Sequence, residues 1–104
     1  MIVTTCDNVP GREIESTLGL CRGSAIRARH VGKDILAALK NIVGGEMHEY
    51  SKLLAETREQ ALDRMVEDAQ DRGADAIVAV RYASTAIAQG AAEFLAYGTA
   101  VKLA

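Results

Sequence analysis

The first third of the chain carries a strand-like pattern that two glycines interrupt. Residues 2–5 include the β-branched run Ile-Val-Thr-Thr, which predicts a short strand. Residues 13–29 continue a strand pattern, and Gly19 and Gly23 within it predict a bulge or a sharp bend. The pattern is compatible with one bent strand or with two short ones. Asn8-Val9-Pro10-Gly11 before it has the composition of a turn.

Apolar residues then recur every three or four positions, which predicts two helices in the middle of the chain. The first spans residues 31–43 and ends at Gly44-Gly45, a pair that predicts a corner between helices. The second spans residues 47–72 and ends before Gly73. Its predicted apolar stripe consists of Tyr50, Leu53, Leu54, Ala61, Leu62, Met65, Val66 and Ala69. The opposite face is charged, and Asp68 with Arg72 has the spacing of a helical ion pair.

The last third returns to a strand pattern and predicts a hairpin. Residues 76–88 and 92–103 are the two strands, and Gln89-Gly90 is the turn between them. Together with the helical middle, these strands predict an α+β domain that spans residues 1–104.

Both faces of the final strand are apolar. One face presents Leu95, Tyr97, Thr99, Val101 and Leu103, and the other presents Ala92, Phe94, Ala96, Gly98 and Ala100. A sheet covered on one side only normally has polar residues on its other side. One long and one short helix cannot cover both faces of a four-stranded sheet. We therefore expect the second face to pack against another copy of the protein, the alternative being a monomer whose strands curl over one core.

Composition and charge narrow the class of protein. Hydrophobic residues make up 49% and charged residues 25%, which is typical of a globular chain. The net charge of −2 argues against nucleic acid or an anionic membrane as a partner. Four basic residues and no acid lie between Arg22 and Lys33, which predicts either a solvated basic segment or a site for a small anion.

The sequence carries no sign of export or membrane insertion. The first residues lack a basic region followed by a long apolar stretch, so no signal peptide is predicted. No apolar run approaches the roughly 18 residues that a membrane span requires. We expect a cytoplasmic protein whose two cysteines are free thiols.

Several short motifs, in order along the whole chain, resemble the YbjQ-like family of small uncharacterised bacterial and archaeal proteins. The motifs are Thr4-Thr5, Leu18-Gly19-Leu20 with Gly23, Asn41-Ile42-Val43-Gly44-Gly45-Glu46, Tyr50 with Leu53-Leu54, Gly73-Ala74-Asp75-Ala76-Ile77, Gly90-Ala91 with Glu93, and Ala96-Tyr97-Gly98-Thr99-Ala100-Val101. Each motif is weakly specific, but the ordered set is specific.

The resemblance implies a subunit similar to that of dodecin, with a small antiparallel sheet packed on one long and one short helix. It also implies a homopentameric ring assembled through exchanged β-elements. Members of the family are often labelled heavy-metal-binding, so a transition-metal ion is the cofactor that the resemblance implies.

The potential metal ligands are Cys6, Cys21, His30 and His48. Soft and borderline metals are usually held by closely spaced Cys or His side chains, and the chain has no C-x-x-C or H-x-x-x-H pair. Cys21 stands where the family usually has an aliphatic residue, and neither histidine lies in a recurring motif. We interpret all four as structural or incidental. The metal hypothesis stays open because a ring would repeat any single ligand by symmetry.

The other candidate site residues are charged groups and glycines within or near the family motifs. Glu93 interrupts an apolar strand, and Arg81 on the neighbouring strand is a candidate partner for its carboxylate. We interpret Glu93 as part of a structural ion pair or of a subunit contact. Gly44, Gly45 and Glu46 could bind an anion at a helix N-terminus, or they could form only a turn and a helix start.

Three hypotheses about function follow. The first is a homo-oligomeric module that binds a small ligand or metal ion between subunits. The second is a structural scaffold that recruits another protein. An enzyme comes third, because the sequence contains no Ser-His-Asp pattern, P-loop or dinucleotide fingerprint.

Overall fold

The computed structural model describes residues 1–27, 47–88 and 91–104. These residues form the strands and the helix β1 (Ile2–Val3), β2 (Ile14–Arg27), α1 (Met47–Asp71), β3 (Ala76–Ala88) and β4 (Ala91–Leu103). The predicted α+β class is confirmed, with strands at both ends of the chain around a long helix. The short helix predicted over residues 31–43 lies outside the described residues, as do Gly44-Gly45 and Gln89-Gly90.

The strands form one sheet in the order β1-β3-β4-β2. β4 lies in the centre and pairs antiparallel with β3 and with β2. β1 pairs parallel with β3, with Ile2 opposite Ala76 and Val3 opposite Ile77. The sheet is therefore mixed, and the prediction of an antiparallel sheet is wrong for β1. The apolar pattern of a two-residue strand identifies the strand but not its direction.

Residues 4–13 form the N-terminal segment, whose first residues, Thr4 to Cys6, continue along the outer edge of β3. The Thr4 N–H donates to the Ile77 carbonyl at 3.0 Å, and the Thr4 carbonyl accepts from the Val80 N–H at 3.0 Å. The Ala79 N–H donates to the Cys6 carbonyl at 2.8 Å. Ala79 has a φ of 54° and lies where the pairing of β3 with β4 shifts register, so it forms a bulge. The N-terminal segment thus stabilises a left-handed backbone conformation that alanine rarely adopts.

Gly19 forms the bulge that its place in the strand pattern predicts. Its φ is +92°, and the register of β2 against β4 shifts between Thr17 and Gly19. Glycine adopts this conformation without the steric penalty of a Cβ atom.

α1 ends in the hydrogen-bond pattern of a Schellman motif. Gly73 has a φ of +76°, and its N–H donates to the Gln70 carbonyl at 2.9 Å. The Ala74 N–H donates to the Ala69 carbonyl at 3.1 Å. These bonds satisfy two carbonyls of the last helical turn and confirm the predicted stop at Gly73.

The part of the predicted apolar stripe between Ala61 and Ala69 packs on one face of the sheet, which we call the helix face. The buried residues at this contact are Ala61, Met65 and Ala69 from α1, with Cys21, Ala25, Ile77, Val80, Ala96 and Ala100 from the sheet. Most of these side chains are small, so the helix backbone approaches the strands closely. Gly23 lies at the closest point, where a Cβ atom would overlap the Met65 nitrogen and the Ala61 carbonyl oxygen.

α1 also covers the outer edge of β2, which is an edge strand of the sheet. Three of its side chains bind backbone groups there: Asp68 accepts from the Arg22 N–H at 3.0 Å, Arg72 donates to the Leu18 carbonyl at 3.1 Å, and Arg64 donates to the Ser24 carbonyl. Asp68 and Arg72 also form the predicted ion pair at 3.3 Å. Backbone groups that could pair with another strand are thereby occupied by charged side chains of the same subunit.

Among the described residues, only the N-terminal segment covers the opposite side of the sheet, the second face, and it does so at one end. There Val9 of the N-terminal segment packs with Ala76, Val78, Val101 and Leu103. Val101 and Leu103 on this face and Ala100 on the helix face are therefore buried within one subunit, whereas Lys102 is exposed. Beyond the part of the second face that Val9 contacts, the side chains of Leu20 and Ile26 are 54% and 56% exposed.

Candidate functional site

The uncovered part of the second face contains a row of three cross-strand neighbours. Tyr97 of β4 lies opposite Arg22 of β2 on one side and opposite Arg81 of β3 on the other. Directly paired residues project from the same face of a sheet, about 5 Å apart. Both arginines are exposed and Tyr97 is half-buried. The row therefore places two cationic groups on either side of a phenol.

Arg81 is anchored at one end of this row by two backbone carbonyls. Its Nη1 donates to the Thr5 carbonyl at 3.0 Å and to the Val80 carbonyl at 2.8 Å. These bonds hold the guanidinium beside the N-terminal segment and leave its other N–H groups available. Among the described residues the ion pairs are Arg72–Asp68 and Lys102–Asp75, so no described carboxylate neutralises either arginine of the row.

Glu93 lies on the second face, but it does not pair with Arg81. Its cross-strand neighbours are Ile26 and Thr85, and the side chain is half-buried. Arg81 lies opposite Tyr97, four residues along β4 from Glu93, which corresponds to about 13 Å along a strand. Arg81 and Glu93 therefore do not form the expected ion pair within the subunit: their strands are adjacent, but the register places the two residues four positions apart.

Apolar side chains surround the row. Ser24, Leu95 and Ala83 form the next row towards the hairpin turn, and Ile26 lies one row beyond on β2. On the other side of Arg22, Leu20 is exposed beside Thr99. The uncovered second face thus combines a cationic row with exposed apolar surface.

The two cysteines lie in different parts of the subunit. Cys6 is exposed in the N-terminal segment, at the outer edge of β3. Cys21 is buried on the helix face of β2, and its thiol donates to the Gly98 carbonyl at 3.6 Å. Burial, with a smaller contribution from the negative charge of Asp68, raises the pKa of the Cys21 thiol above its ordinary value of 9.0, while Arg72 opposes this shift. A buried thiol that stays protonated is a poor metal ligand.

The residues that the structure describes do not form a metal site within one subunit. They contain no group of three or more His, Cys, Asp or Glu side chains that could hold a metal ion. His48 lies in the first turn of α1. His30 and the anion-site candidates Gly44, Gly45 and Glu46 lie outside the described residues. The donor set that a soft metal requires is thus not assembled by Cys6 and Cys21.

A second concave region lies on the other side of the sheet, between α1 and Tyr82 of β3. It is an open groove of about 760 Å³, and α1 contributes Lys52, Ala55, Glu56, Arg58, Glu59, Gln60 and Asp63 to its lining. Acidic and basic side chains are mixed along it, so the groove favours neither sign of charge.

The sequence identified Arg81 as a candidate but not its row with Arg22 and Tyr97. Counting from the Ala88–Ala91 pair without a register shift would place Arg81 opposite Gly98, on the helix face. The shift between Ala86 and Ala88 moves it opposite Tyr97. The cluster of basic residues that starts at Arg22 was the sequence signal for a cationic site. The sequence did not show the strand register that places Arg22 and Arg81 beside Tyr97.

In the described part of the chain, no helix is long and apolar enough to cross a membrane. α1 has 25 residues, but charged side chains occur throughout its length.

Comparison with known proteins gives matches over the whole chain. The YbjQ family model, described as "Putative heavy-metal-binding", matches residues 1–104. A UPF0145 protein of Methanosarcina acetivorans is 57% identical over 103 residues, which cover 99% of this chain and 97% of that protein. A UPF0145 protein of Clostridioides difficile is 55% identical over 103 residues, covering 99% and 92%.

Among solved structures, a protein of unknown function of the DUF74 family from Pediococcus pentosaceus is similar, with a TM-score of 0.65. The match covers 100% of this chain and 98% of that protein at 14% sequence identity. At this identity the likeness supports the fold alone.

Proposed function

We propose, since this chain belongs to the YbjQ family, that it is a self-associating module that binds a small ligand where its copies meet. The observation that carries the proposal is the second face, most of which the described residues leave uncovered. Leu20 and Ile26 are more than half exposed there, next to the half-buried Leu95 and Tyr97. Exposed apolar side chains grouped on one sheet face are typical of a surface that binds a partner.

The outer edge of β3 supports self-association independently. β1 and the N-terminal segment pair with this edge only as far as Val80. Residues 81–86 are exposed and have no strand beyond them among the described residues. An unpaired edge of this length can accept a strand from another chain, whereas the β2 edge is occupied by side chains of α1. The subunit thus has one available edge and one protected edge.

The ring of five copies and the cytoplasmic location expected from the sequence stay predictions. A head-to-tail contact between an available edge and a different surface closes into a ring when its rotation allows. The two unlike edges of this sheet are compatible with such a contact.

A metal ion is a weaker candidate than an organic ligand. Because the described residues of one subunit provide no metal site, ligands would have to come from several copies. The exposed thiol of Cys6 is the donor that each copy could supply in this way.

Light scattering during size-exclusion chromatography tests the assembly. We expect the wild-type protein to elute as an oligomer, and Leu20→Glu or Ile26→Glu to reduce its mass, because each places a charge on the apolar second face. Gln70→Glu, at an exposed position of α1, is the matched control and should leave the mass unchanged. A wild-type monomer at micromolar concentration would refute the proposal.

Metal analysis of protein purified without a histidine tag tests the alternative ligand. Titration with zinc, copper and nickel should give no stoichiometric uptake if the ligand is organic. Stoichiometric uptake that is lost in Cys6→Ala but retained in Cys21→Ala would instead establish an inter-subunit metal site.

A further inference from the structure

The row Arg22–Tyr97–Arg81 carries a positive charge that the described residues of the second face do not balance. Both guanidinium groups lack a carboxylate partner among the described residues, and the half-buried Glu93 is four positions away along β4. If another copy covers this face, both cations lose contact with water. An unneutralised buried charge is strongly unfavourable, so the row requires an anion.

The geometry of the row matches a small oxyanion. The Cα atoms of residues two strands apart in a sheet are about 10 Å apart, and arginine side chains can converge across that distance on one ligand. Guanidinium groups bind carboxylate and phosphate through paired N–H donors. Tyr97 lies between them and can donate its O–H to the same anion. The Thr5 carbonyl holds one nitrogen of Arg81 at the outer edge of β3, and the other N–H groups of its guanidinium are the donors left for the anion.

The apolar neighbours indicate what is attached to the anion. Leu95 lies one row from the arginines and Ile26 two rows from them on the same face. A ligand whose anionic group lies on the row can place a hydrocarbon or aromatic part on these side chains and remove them from water. Inorganic phosphate could satisfy the arginines but not this apolar surface.

We infer that Arg22, Tyr97 and Arg81 bind the phosphate or carboxylate group of a small amphipathic molecule whose apolar part contacts Leu95 and Ile26. The inference rests on the proposed function, of which it specifies the ligand class. Its electrostatic basis is that another copy covers the second face, but it does not assume a particular number of copies.

Nuclear magnetic resonance of ¹⁵N-labelled arginine side chains can test the site directly. The probes are hexyl phosphate, hexanoate, inorganic phosphate and hexanol at low ionic strength, where charge interactions are least screened. We expect saturable shifts of the Arg22 and Arg81 Nε–H resonances with hexyl phosphate, hexanoate or both, and weaker binding of inorganic phosphate. The relative affinity of the first two probes identifies the preferred anionic group. Hexanol lacks the charge and should not shift these resonances.

Substitutions separate the row from general charge effects. Arg22→Gln removes a charge without removing a side-chain hydrogen bond to the protein, and we expect it to weaken binding by about tenfold, as for the loss of one charged hydrogen bond. Tyr97→Phe should weaken binding less. Arg58→Gln, on α1, is the matched control and should leave the affinity unchanged. Arg81→Gln also loses the bond to Thr5, so its melting temperature must be measured alongside.

Two results would overturn the inference. One is the absence of a saturable shift at either arginine with both anionic amphiphiles. The other is equal weakening by Arg22→Gln and Arg58→Gln, which would indicate nonspecific attraction of anions. Light scattering on the same samples shows whether the protein assembles, so failure of the anion site can be distinguished from failure of the proposed assembly. An oligomer that does not bind refutes only the anion site, and a monomer that binds refutes only the assembly.

Discussion

Gly23 of β2 lies directly against the backbone of α1 at Met65. A Cβ atom added to Gly23 would overlap the Met65 nitrogen and the Ala61 carbonyl oxygen, and would lie 2.6 Å from the Arg64 carbonyl carbon. These are backbone atoms in the middle of a helix, so they cannot move aside as a flexible side chain can. The distance between helix and sheet is therefore set by the absence of a side chain at one strand position.

Gly23→Ala should destabilise the fold by about 3 kcal/mol or more, at or above the upper end of the usual cost of overpacking, because the helix as a whole must shift. Urea unfolding measures the change. Ser24→Ala, at the next and half-buried position, is the control and should change the free energy of unfolding by less than about 0.5 kcal/mol. Equal stability of Gly23→Ala and wild type would show that α1 does not pack at this distance.

Asp68→Ala should lower the free energy of unfolding by about 1–2 kcal/mol. The carboxylate accepts a hydrogen bond from the Arg22 N–H at 3.0 Å and pairs with Arg72 at 3.3 Å. The bond to the edge of β2 provides most of this effect, since a partly exposed ion pair contributes less than about 1 kcal/mol. Asp71→Ala, one turn further along α1 and exposed, should change stability far less. Similar losses for both variants would contradict the role of Asp68 at the strand edge.

The two thiols should differ in their rate of reaction with a disulfide reagent such as dithionitrobenzoate. Cys6 is exposed and should react within the first phase, whereas Cys21 is fully buried and should react only when the protein opens. Cys6→Ala should therefore abolish the fast phase, and Cys21→Ala should leave it intact. Two fast phases in the native wild-type protein would mean that α1 does not cover Cys21.

Stability should decrease as the pH rises above 9.0, in part because of Cys21. Its folded pKa is raised by burial, so above the ordinary value of 9.0 the thiol ionises in the unfolded chain while it stays protonated in the folded one. The contribution of Cys21 to the free energy of unfolding is fully present below pH 9.0. It is lost between pH 9.0 and the raised pKa of the folded state, and the loss is at most about 1.4 kcal/mol per pH unit. Unfolding at one pH below 9.0 and one above it measures the loss.

Cys21→Ala should show a smaller decrease with pH than wild type, and Cys6→Ala should show the same decrease. The other ionisable groups are common to all three proteins, so their contribution cancels in this comparison. An equal slope for wild type and Cys21→Ala would contradict the raised pKa.

The sequence alone determined those features that depend on local chemistry. Periodicity placed the long helix and its buried stripe, and Gly73 marked its end because a left-handed C′ position favours glycine. Gly19 marked a bulge for a similar reason. The spacing of Asp68 and Arg72 predicted their ion pair. The apolar character of both faces of the last strand also predicted that each would need a cover.

The tertiary structure decided what covers each face and which residues meet across strands. Val9 covers one end of the second face, a contact between distant parts of the chain that no local pattern encodes. Arg81 projects beside Tyr97 rather than towards the helix because one register shift near the hairpin turn moves it to the opposite face. Side chains alternate with a period of two, so a single extra residue reverses every assignment beyond it. Composition and periodicity therefore predicted the elements, and only strand register could place the candidate site.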